Sequence, residues 1–484
     1  MRKSIERSHY QVTFMVLLLG VTAYSLLQSL VIPALPTIQH DLHTSQTTVT
    51  WVVTSYLLSA SVFTPIVGRI GDVVGKERML VVTLIALAAG SALAGLAHSV
   101  LVLIIARAIQ GMGGGLLPLS FGIVRDEFPG IKVAGAIGFL AAMTAVGGGV
   151  GTIIAGPIVN NLNYHWLFWL PMIICILGAI SAALFVPESP VRTEGKVSTA
   201  GAVLLSAWLV ALLLGVSEAP SWGWGSPRVI GLLVGAVVLI AVWIVVESRS
   251  AAPLIDMTMM RVPAVFTNNL VAFLFGLGMY SAMAFLPEFL QTPTSAGYGF
   301  GASIIASGLF LLPLTAMMFL FGLLAGRIAD RIGSKAAVEL GSVISAAGFF
   351  VIAFAHSEKW EIYAASALLG IGFGLAFSAM SNLIVRAVPP EQTGVASGMN
   401  ANIRTIGGAV GAAVMASIVT AQMESSGLYP SESGYRDGFM VLGIVTVFAA
   451  VAAHRIPGGG PARHDHHGEH AELAMVAGGT LAEG

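Results

Sequence analysis

The chain contains two short polar stretches that nearly match, and each lies between long apolar segments. The first is Gly68-Arg69-Ile70-Gly71-Asp72-Val73-Val74-Gly75-Lys76, and the second is Gly326-Arg327-Ile328-Ala329-Asp330-Arg331-Ile332-Gly333-Ser334-Lys335. Glycine near both ends of each stretch is typical of a tight chain reversal, because glycine accepts backbone angles that other residues avoid. A duplicated Gly-Arg-hydrophobic-small-Asp turn between membrane-length helices predicts two related halves, each built around one membrane-embedded unit.

Composition places the chain in a membrane. Hydrophobic residues make up 56% of it and charged residues only 10%, whereas soluble domains are roughly 25% charged. Apolar runs near the roughly 20 residues that span a bilayer recur fourteen times along the sequence. Because lipid offers no partners to backbone polar groups, and because these runs are too long for barrel strands, they must be helices. The predicted fold class is an all-α, polytopic membrane protein with 14 transmembrane helices.

The positions of the repeats divide these helices into groups. The Gly68 stretch follows the second apolar run, and the Gly326 stretch follows the tenth. Val124-Arg125 with Pro129 after the fourth run similarly resembles Val385-Arg386 with Pro390 after the twelfth. Two matches at the same interval of eight runs predict two six-helix halves in parallel repeat, separated by an inserted pair. Our predicted boundaries are 13-187 for the N-terminal half, 199-247 for the inserted helices, 265-454 for the C-terminal half and 457-484 for a flexible, histidine-containing tail.

Basic residues are distributed unevenly between the two sides of the predicted bundle. If the N-terminus is cytoplasmic, the outer segments hold only Arg228, Lys359 and Arg436, and the other loop cations are inside. This asymmetry follows the positive-inside rule, and it predicts a multi-pass protein of the cytoplasmic (plasma) membrane with both termini in the cytoplasm. Cys175 is the only cysteine, so no intramolecular disulfide can form.

On these residues the chain resembles the major facilitator superfamily, specifically the fourteen-helix branch of drug:proton antiporters, from about Thr13 to Ala453. The positions that match the family's signature between helices 2 and 3 are Gly68, Asp72, Gly75, Lys76 and Arg78. The resemblance implies a secondary active transporter in which this loop controls gating. We expect Asp72 to cap the third helix or to pair with a cation such as Arg125, and Asp330 to hold the weaker, second copy. The alternative is a basic turn that only orients the chain in the membrane.

The fourth helix carries a second signature, in which Arg107 lies inside an apolar span. A buried cation there costs at least about 2.5–3.5 kcal/mol on insertion scales, so Arg107 should face a cavity or a partner. The resemblance implies a role for it in proton coupling. The alternative is that Arg107 reaches back to the outer interface. Gly113 to Gly115, further along the same helix, should permit close helix packing.

The fifth helix contains small residues that resemble the family's antiporter signature: Gly147, Gly151, Gly156 and Pro157. The order departs from the family pattern, because Pro157 follows the last glycine, and this weakens the inference of antiport. We expect these residues to bring the helix close to a partner in the other half, with a bend at Pro157. Ordinary packing explains them equally well.

The first helix lacks the acidic residue that relatives carry, so another carboxylate must serve a proton-driven cycle. Glu288, near the outer end of the ninth helix, is the leading intramembrane candidate. The alternative is that Pro287-Glu288 lies in the lipid headgroup layer, which fits the sequence equally well. The cavity should suit amphipathic organic compounds, because methionine and aromatic side chains adapt to varied shapes. The residues that we expect to line it are Tyr24, Gln28, Tyr56, Met143, Asn400 and Arg404.

The sequence favours proton-coupled efflux of hydrophobic or amphipathic drugs or natural products by alternating access. We expect partners to be a small-molecule substrate, protons and membrane lipid, with a monomeric chain, no nucleic acid, no cofactor, no metal site and no enzymatic activity. The alternatives are a symporter or facilitator of another solute, a metal exporter that uses the tail Arg463-His464-Asp465-His466-His467-Gly468-Glu469-His470, or a membrane sensor.

Overall fold

A computed structural model describes residues 10–44, 46–189, 198–250, 253–389, 392–421 and 430–457. The predicted tail therefore lies outside the described residues from position 458 onward. The first six spans and the short helix α2 that follows the first of them comprise eight helices: α1 (Tyr10–Ser29), α2 (Leu35–Asp41), α3 (Gln46–Val74), α4 (Lys76–Gly95), α5 (Val100–Gln110), α6 (Leu116–Glu127), α7 (Gly130–Asn161) and α8 (Trp166–Phe185). We call these eight helices the N-terminal half.

The remaining spans and one short helix comprise ten further helices. We call α9 (Thr199–Trp222) and α10 (Pro227–Arg249) the inserted pair, as in the sequence analysis. The C-terminal half comprises α11 (Met257–Arg261), α12 (Pro263–Gln291), α13 (Ile304–Phe310), α14 (Leu312–Ile332), α15 (Ser334–Phe354), α16 (Lys359–Ala387), α17 (Thr393–Ala421) and α18 (Glu432–His454). Among the described residues, 14 segments are long and apolar enough to cross a membrane, so the predicted fold class and number of spans are confirmed.

The two polar stretches are helical rather than extended turns, which corrects the sequence prediction. The helix α3 continues through Gly68 and Asp72 to Val74, and α14 likewise continues to Ile332. Each chain reversal is confined to one glycine, Gly75 with φ 129° and Gly333 with φ 89°. No proline occurs between Gly68 and Val74, so the backbone hydrogen bonds continue, and the amide of Gly75 still donates to the carbonyl of Gly71 at 3.0 Å. The signature side chains are therefore held on a rigid helical end.

The fourth span is interrupted where the sequence predicted one continuous helix. Residues Gly111–Gly115 form a 3₁₀ segment between α5 and α6. A Cβ on Gly111 would lie 2.4 Å from the Cβ of Ser59 in α3, and one on Gly114 would lie 2.3 Å from the Oγ1 of Thr64. Contacts this short exclude any side chain, so the glycines permit the close helix packing that the sequence predicted.

The two halves meet along two lines of helix contact. The helix α7 packs against α14, and α3 packs against α17. The inserted helix α9 contacts both α3 and α17, so the insert lies beside the second of these lines. Its partner α10 has the highest mean hydropathy of the 14 spans, 3.1, and half of its large apolar residues are exposed, as expected for a helix that faces lipid. The insert therefore adjoins one of the two lines along which the halves meet.

Candidate functional site

Asp72 contacts the opposite half of the protein. Its side chain is 1% exposed, and its Oδ2 accepts a hydrogen bond from the backbone amide of Val395 at 3.1 Å. Val395 lies in the first turn of α17, where helical amides lack intrahelical partners and the helix dipole attracts negative charge. A Cβ on Gly68 would lie 2.7 Å from the carbonyl oxygen of Gly394, so the two helices nearly touch here. We call this region, formed by the end of α3 and the start of α17, the signature face.

Lys76 joins two carboxylates beneath this contact. Its Nζ lies 2.7 Å from Oδ2 of Asp126 and 3.9 Å from Oδ1 of Asp72, and the Lys76 and Asp72 side chains are fully buried. Ser189, in the linker after α8, donates a hydrogen bond to the same oxygen of Asp126. A Cβ on Gly122 would lie 2.8 Å from Cδ of Lys76, so α6 leaves room for the lysine stem. This buried network ties α3, α4 and α6 together behind the carboxylate that reaches α17.

The turn after α3 is fixed by the linker that leaves the N-terminal half. The Nε of Arg78 lies 2.9 Å from Oε2 of Glu188. A Cβ on Gly75 would lie 2.2 Å from the other oxygen of Glu188, in addition to the strain of its positive φ. Only glycine fits this position, which explains the Gly75 of the signature.

Arg125 also contacts the start of α17. Its Nη1 donates to Oγ1 of Thr393 at 2.6 Å, while Asp72 has Lys76 as the cation within ion-pair distance. The sequence prediction of an Asp72–Arg125 pair and of a cap on the third span therefore differs from these contacts. Asp72 instead caps a helix of the other half, and Arg125 binds the same helix terminus. Asp72 and Arg125 therefore both bind the start of α17 and do not pair with each other.

The second copy of the signature is arranged differently. Asp330 and Arg327 are exposed, and among the described residues Asp330 forms no ion pair within 4.0 Å. A Cβ on Gly326 would lie 3.6 Å from Cα of Gly135 in α7, so this copy also adjoins the other half. The buried network is therefore specific to the first copy, in agreement with the expected inequality of the two.

Replacing Lys76 by glutamine should strongly destabilise the protein. The change leaves Asp72 and Asp126 buried without their cation, and breaking a buried ion pair costs about 3–5 kcal/mol. We expect a lower unfolding temperature for the detergent-purified variant, measured by tryptophan fluorescence. The matched control is Lys335→Gln in the second copy, where the side chain is partly exposed. This variant should change the unfolding temperature little. An unfolding temperature equal to that of wild type in Lys76→Gln would show that the network is not needed for stability.

Arg107 is held in the interior of the N-terminal half. It is 1% exposed, its Nη1 donates to the carbonyl of Leu27 at 3.1 Å, and its Nε donates to the carbonyl of Val52 at 3.1 Å. The same Nη1 donates to Oε1 of Gln110 at 2.7 Å, and the guanidinium lies 4.2 Å from the ring centroid of Tyr56. Leu27 lies in the last turn of α1, where carbonyls lack helical partners. Arg107 therefore connects three spans, and the alternative that it reaches the outer interface is excluded.

Tyrosines and arginines from both halves meet beside the centre of the bundle. Tyr24 of α1 interacts electrostatically with Tyr56, Tyr280 and Arg404. The guanidinium of Arg404 lies 4.2 Å from the ring centroid of Phe377. Arg404 and Phe377 border a small cavity between the halves, which is too narrow in this conformation to hold an organic molecule. It is lined by Leu117, Pro118, Phe121, Phe377, Ser381, Ile384, Ser397, Asn400, Ala401 and Arg404.

The other predicted cavity residues occupy varied surroundings. Asn400 lines the cavity, and its Nδ2 donates to Oδ1 of Asn269 in α12 at 2.8 Å. Gln28 and Met143 are partly buried, and Met143 packs against the hydrophobic core. The structure therefore places Asn400 and Arg404 at the cavity, and Tyr24 and Tyr56 in the adjoining cluster.

The glycines of α7 face two different helices. A Cβ on Gly147 would lie 2.4 Å from Cβ of Ser25, and one on Gly151 would lie 2.0 Å from Oγ of Ser29, so both face α1 of the same half. In contrast, a Cβ on Gly156 would lie 3.0 Å from Cγ1 of Ile305 in the other half. The expectation that all these glycines approach the other half is therefore wrong for Gly147 and Gly151. The helix continues past Pro157 to Asn161.

Glu288 lies in the last turn of α12, on the face opposite the signature face. Its Oε1 accepts a hydrogen bond from the hydroxyl of Tyr435 at 3.1 Å, and its side chain is exposed. Tyr435 also contacts the ring of Phe289, with centroids 5.4 Å apart. Glu288 therefore belongs to a polar and aromatic cluster at one end of the bundle, away from Arg404 and the central cavity.

Several residues of the site escaped sequence reasoning. Thr393 and Val395 bind the signature through a hydroxyl and a backbone amide at the start of α17, and Asp126 is the second partner of Lys76. The sequence could have indicated Asp126, because it is an acid in a predominantly apolar span next to Arg125. The sequence could not have indicated the amide of Val395, since every residue other than proline has a backbone N–H.

Comparisons with known proteins agree with this architecture. The family model described as Major Facilitator Superfamily matches residues 17–412, with a second match over 270–474. The chain is 28% identical over 420 residues to a tetracenomycin C resistance and export protein of Streptomyces glaucescens, covering 85% of this chain and 76% of that protein. It is also 28% identical to the multidrug transporter protein MdtP of Bacillus subtilis, covering 80% and 71%.

Among solved structures, the human organic anion transporter MFSD10 (TETRAN) is similar in fold, with a TM-score of 0.66 and 17% sequence identity over 93% of this chain and 100% of that one. Together, the 14 apolar spans, the buried signature and the match of the family model to most of the chain confirm the predicted resemblance. This chain belongs to the Major Facilitator Superfamily and is a multi-pass secondary transporter of small molecules.

Proposed function

We propose that the protein exports hydrophobic or amphipathic drugs or natural products in exchange for protons, by alternating access between residues 13-187 and 265-454. The observation that carries the proposal is the bond from the amide of Val395 to Asp72, because it joins the two halves at the signature face. Such a contact must break when the cavity opens to this side. The relatives named for tetracenomycin C export and multidrug transport support export as the direction.

We further propose that the signature face is cytoplasmic, that both termini lie on that side of the plasma membrane, and that the chain acts as a monomer. The excess of Lys and Arg in the loops on this side supports the orientation. The inserted pair, 199-247, would then contact lipid through α10 and guide movement through α9, which adjoins α3 and α17.

Arg107 and Glu288 are the coupling residues in this proposal. Arg107 joins three spans and contacts Tyr56, which adjoins the central cluster. Glu288 is a carboxylate whose partner Tyr435 belongs to another helix, so its protonation state affects a contact between α12 and α18. Substrate-induced proton release that persists in Glu288→Gln would remove Glu288 from the coupling.

Everted membrane vesicles test the proposed exchange. We expect members of a panel of hydrophobic and amphipathic compounds to release protons from acidified vesicles, detected as recovery of a pH-sensitive dye, because antiport couples the two movements. Vesicles without the protein are the control. Transport of a compound without proton release would instead favour a facilitator or symporter. Metal-dependent transport that survives removal of residues 458–484 would favour a metal exporter.

A further inference from the structure

Arg404 occupies an unusual position at the centre of the interface between the halves. It lies near the middle of α17, is 6% exposed and borders the cavity shared with α6 and α16. One face of its guanidinium covers the ring of Phe377 at 4.2 Å. Tyr280 and Tyr24 also interact with it electrostatically, and the hydroxyl of Tyr280 is within hydrogen-bonding reach of the guanidinium. A cation therefore lines a mostly apolar and aromatic chamber.

Arg404 has hydrogen-bonding capacity that the protein leaves unused. Its buried Nε has no acceptor among the described residues. The hydroxyl of Ser397, which lines the same cavity, also has no hydrogen-bond partner among them. Arg107 provides an internal comparison, because its Nε and Nη1 donate to two backbone carbonyls and to Gln110. Buried donors in native proteins are nearly always satisfied, so the free Nε of Arg404 is available to an acceptor from outside the chain.

The charge around this cavity is also uncompensated. Every carboxylate among the described residues lies in a loop or within two turns of a helix end. The middle of the bundle therefore contains the cations Arg107 and Arg404 without an acid to neutralise them. An isolated charge in a low-dielectric interior is costly, and Arg404 gains most from a counter-ion.

We propose that the central cavity recognises substrates with an anionic group, such as a carboxylate, a sulfonate or an acidic phenol, on an apolar aromatic body. This assignment rests on the proposed export function and names its substrate class. The anionic oxygens accept from Nε and the terminal nitrogens of Arg404, while Phe121 and Phe377, which line the cavity, contact the rings. Cationic compounds of the same size are disfavoured, because the cavity offers them no carboxylate.

Three anthracenes of one size test the charge preference: 9-anthracenecarboxylate, its neutral methyl ester and protonated 9-(aminomethyl)anthracene. Binding to the full chain in phosphatidylcholine nanodiscs is followed by probe fluorescence, with empty nanodiscs subtracted. We expect the carboxylate to bind at least about tenfold more tightly than the ester, since hydrogen bonds to charged groups are worth about 1.5–3 kcal/mol. The amine should bind most weakly.

Arg404 variants then assign the preference to this side chain. Arg404→Gln should bind the carboxylate and the ester about equally, and Arg404→Lys should keep only part of the preference, because lysine lacks the guanidinium fork. Arg436→Gln is the control, since Arg436 lies exposed in α18 beside Asp437, and it should match the wild type. If Arg404→Gln does not fold, the reduced preference of Arg404→Lys for the carboxylate tests the assignment instead.

Two results would overturn the assignment: equal binding of the carboxylate and the ester by the wild type, or an unchanged preference in both Arg404 variants. Binding is measured without a proton gradient, so its outcome is separate from that of the vesicle experiment. Loss of export for every compound with the anion preference intact would contradict the export function alone. Export with equal binding of all three probes would contradict only the substrate class.

Discussion

Replacing Asp72 by asparagine is expected to reduce transport at least about tenfold while the protein stays in the membrane, because a hydrogen bond to a charged acceptor is worth about 1.5–3 kcal/mol. The carboxylate accepts from the amide of Val395 in the first turn of α17, and this bond joins the halves. Asparagine is nearly isosteric, but it lacks the charge that the helix terminus attracts. The closed signature face should lose stability. The measurement is substrate efflux from cells, normalised to the amount of protein in the membrane.

The matched control for this variant is Asp330→Asn. Asp330 is the equivalent residue of the second copy, it is exposed, and among the described residues it has no ion pair within 4.0 Å. We expect this variant to retain most of its efflux. Equal losses in the two variants would show that the repeated charge pattern, rather than the bond to α17, governs transport. Full activity in Asp72→Asn would remove the signature from the mechanism.

Replacing Gly149 by valine is expected to abolish transport by preventing the approach of α7 and α14. A Cβ on Gly149 would lie 2.1 Å from Cγ2 of Thr315 and 2.5 Å from its Cβ, so the two helices must move apart. Overpacking of this kind typically costs about 1–3 kcal/mol. Efflux normalised to protein in the membrane is again the measurement, and thermal unfolding of the purified variant tests whether the two halves still pack.

Gly148→Val is the control, because the neighbouring glycine meets no atom within 4 Å of its added Cβ. Both substitutions change the intrinsic helix preference of the chain equally, so this effect cancels between them. We expect Gly148→Val to transport normally. Loss of activity in both variants would indicate that flexibility of the glycine run, and not contact with Thr315, is what transport requires.

Much of the architecture could be predicted from local pattern. An apolar run long enough to cross a bilayer must form a helix, because only a helix satisfies its backbone hydrogen bonds within the run. The fourteen spans could therefore be predicted without tertiary information. The inequality of the two polar stretches was also visible, because Gly75-Lys76 of the first copy is replaced by Gly333-Ser334 in the second. Even so, the stretches proved helical, since one glycine suffices to reverse the chain.

The contacts of individual side chains could not be predicted in the same way. From the sequence, Asp72 was expected to cap the following helix or to pair with a nearby cation. Its backbone partner instead lies in α17, more than 300 residues away. Similarly, Gly147 and Gly149 are two residues apart in one glycine run, yet they face α1 and α14 respectively. Which helix a position faces depends on the rotation of α7 within the bundle, and that rotation is set by all its neighbours together.

The sequence by itself determined the class of this protein: hydrophobic spans, their duplication and the Gly-Arg-Asp signature specify a two-half membrane transporter, because bilayer insertion depends on local composition. Only the tertiary structure decided which groups the two halves share. It placed Asp72 on the terminus of α17, satisfied Arg107 with backbone carbonyls, and left Arg404 with a free donor beside the cavity. These outcomes depend on helix approach distances of a few ångströms, which follow from packing across the whole bundle and not from any one segment.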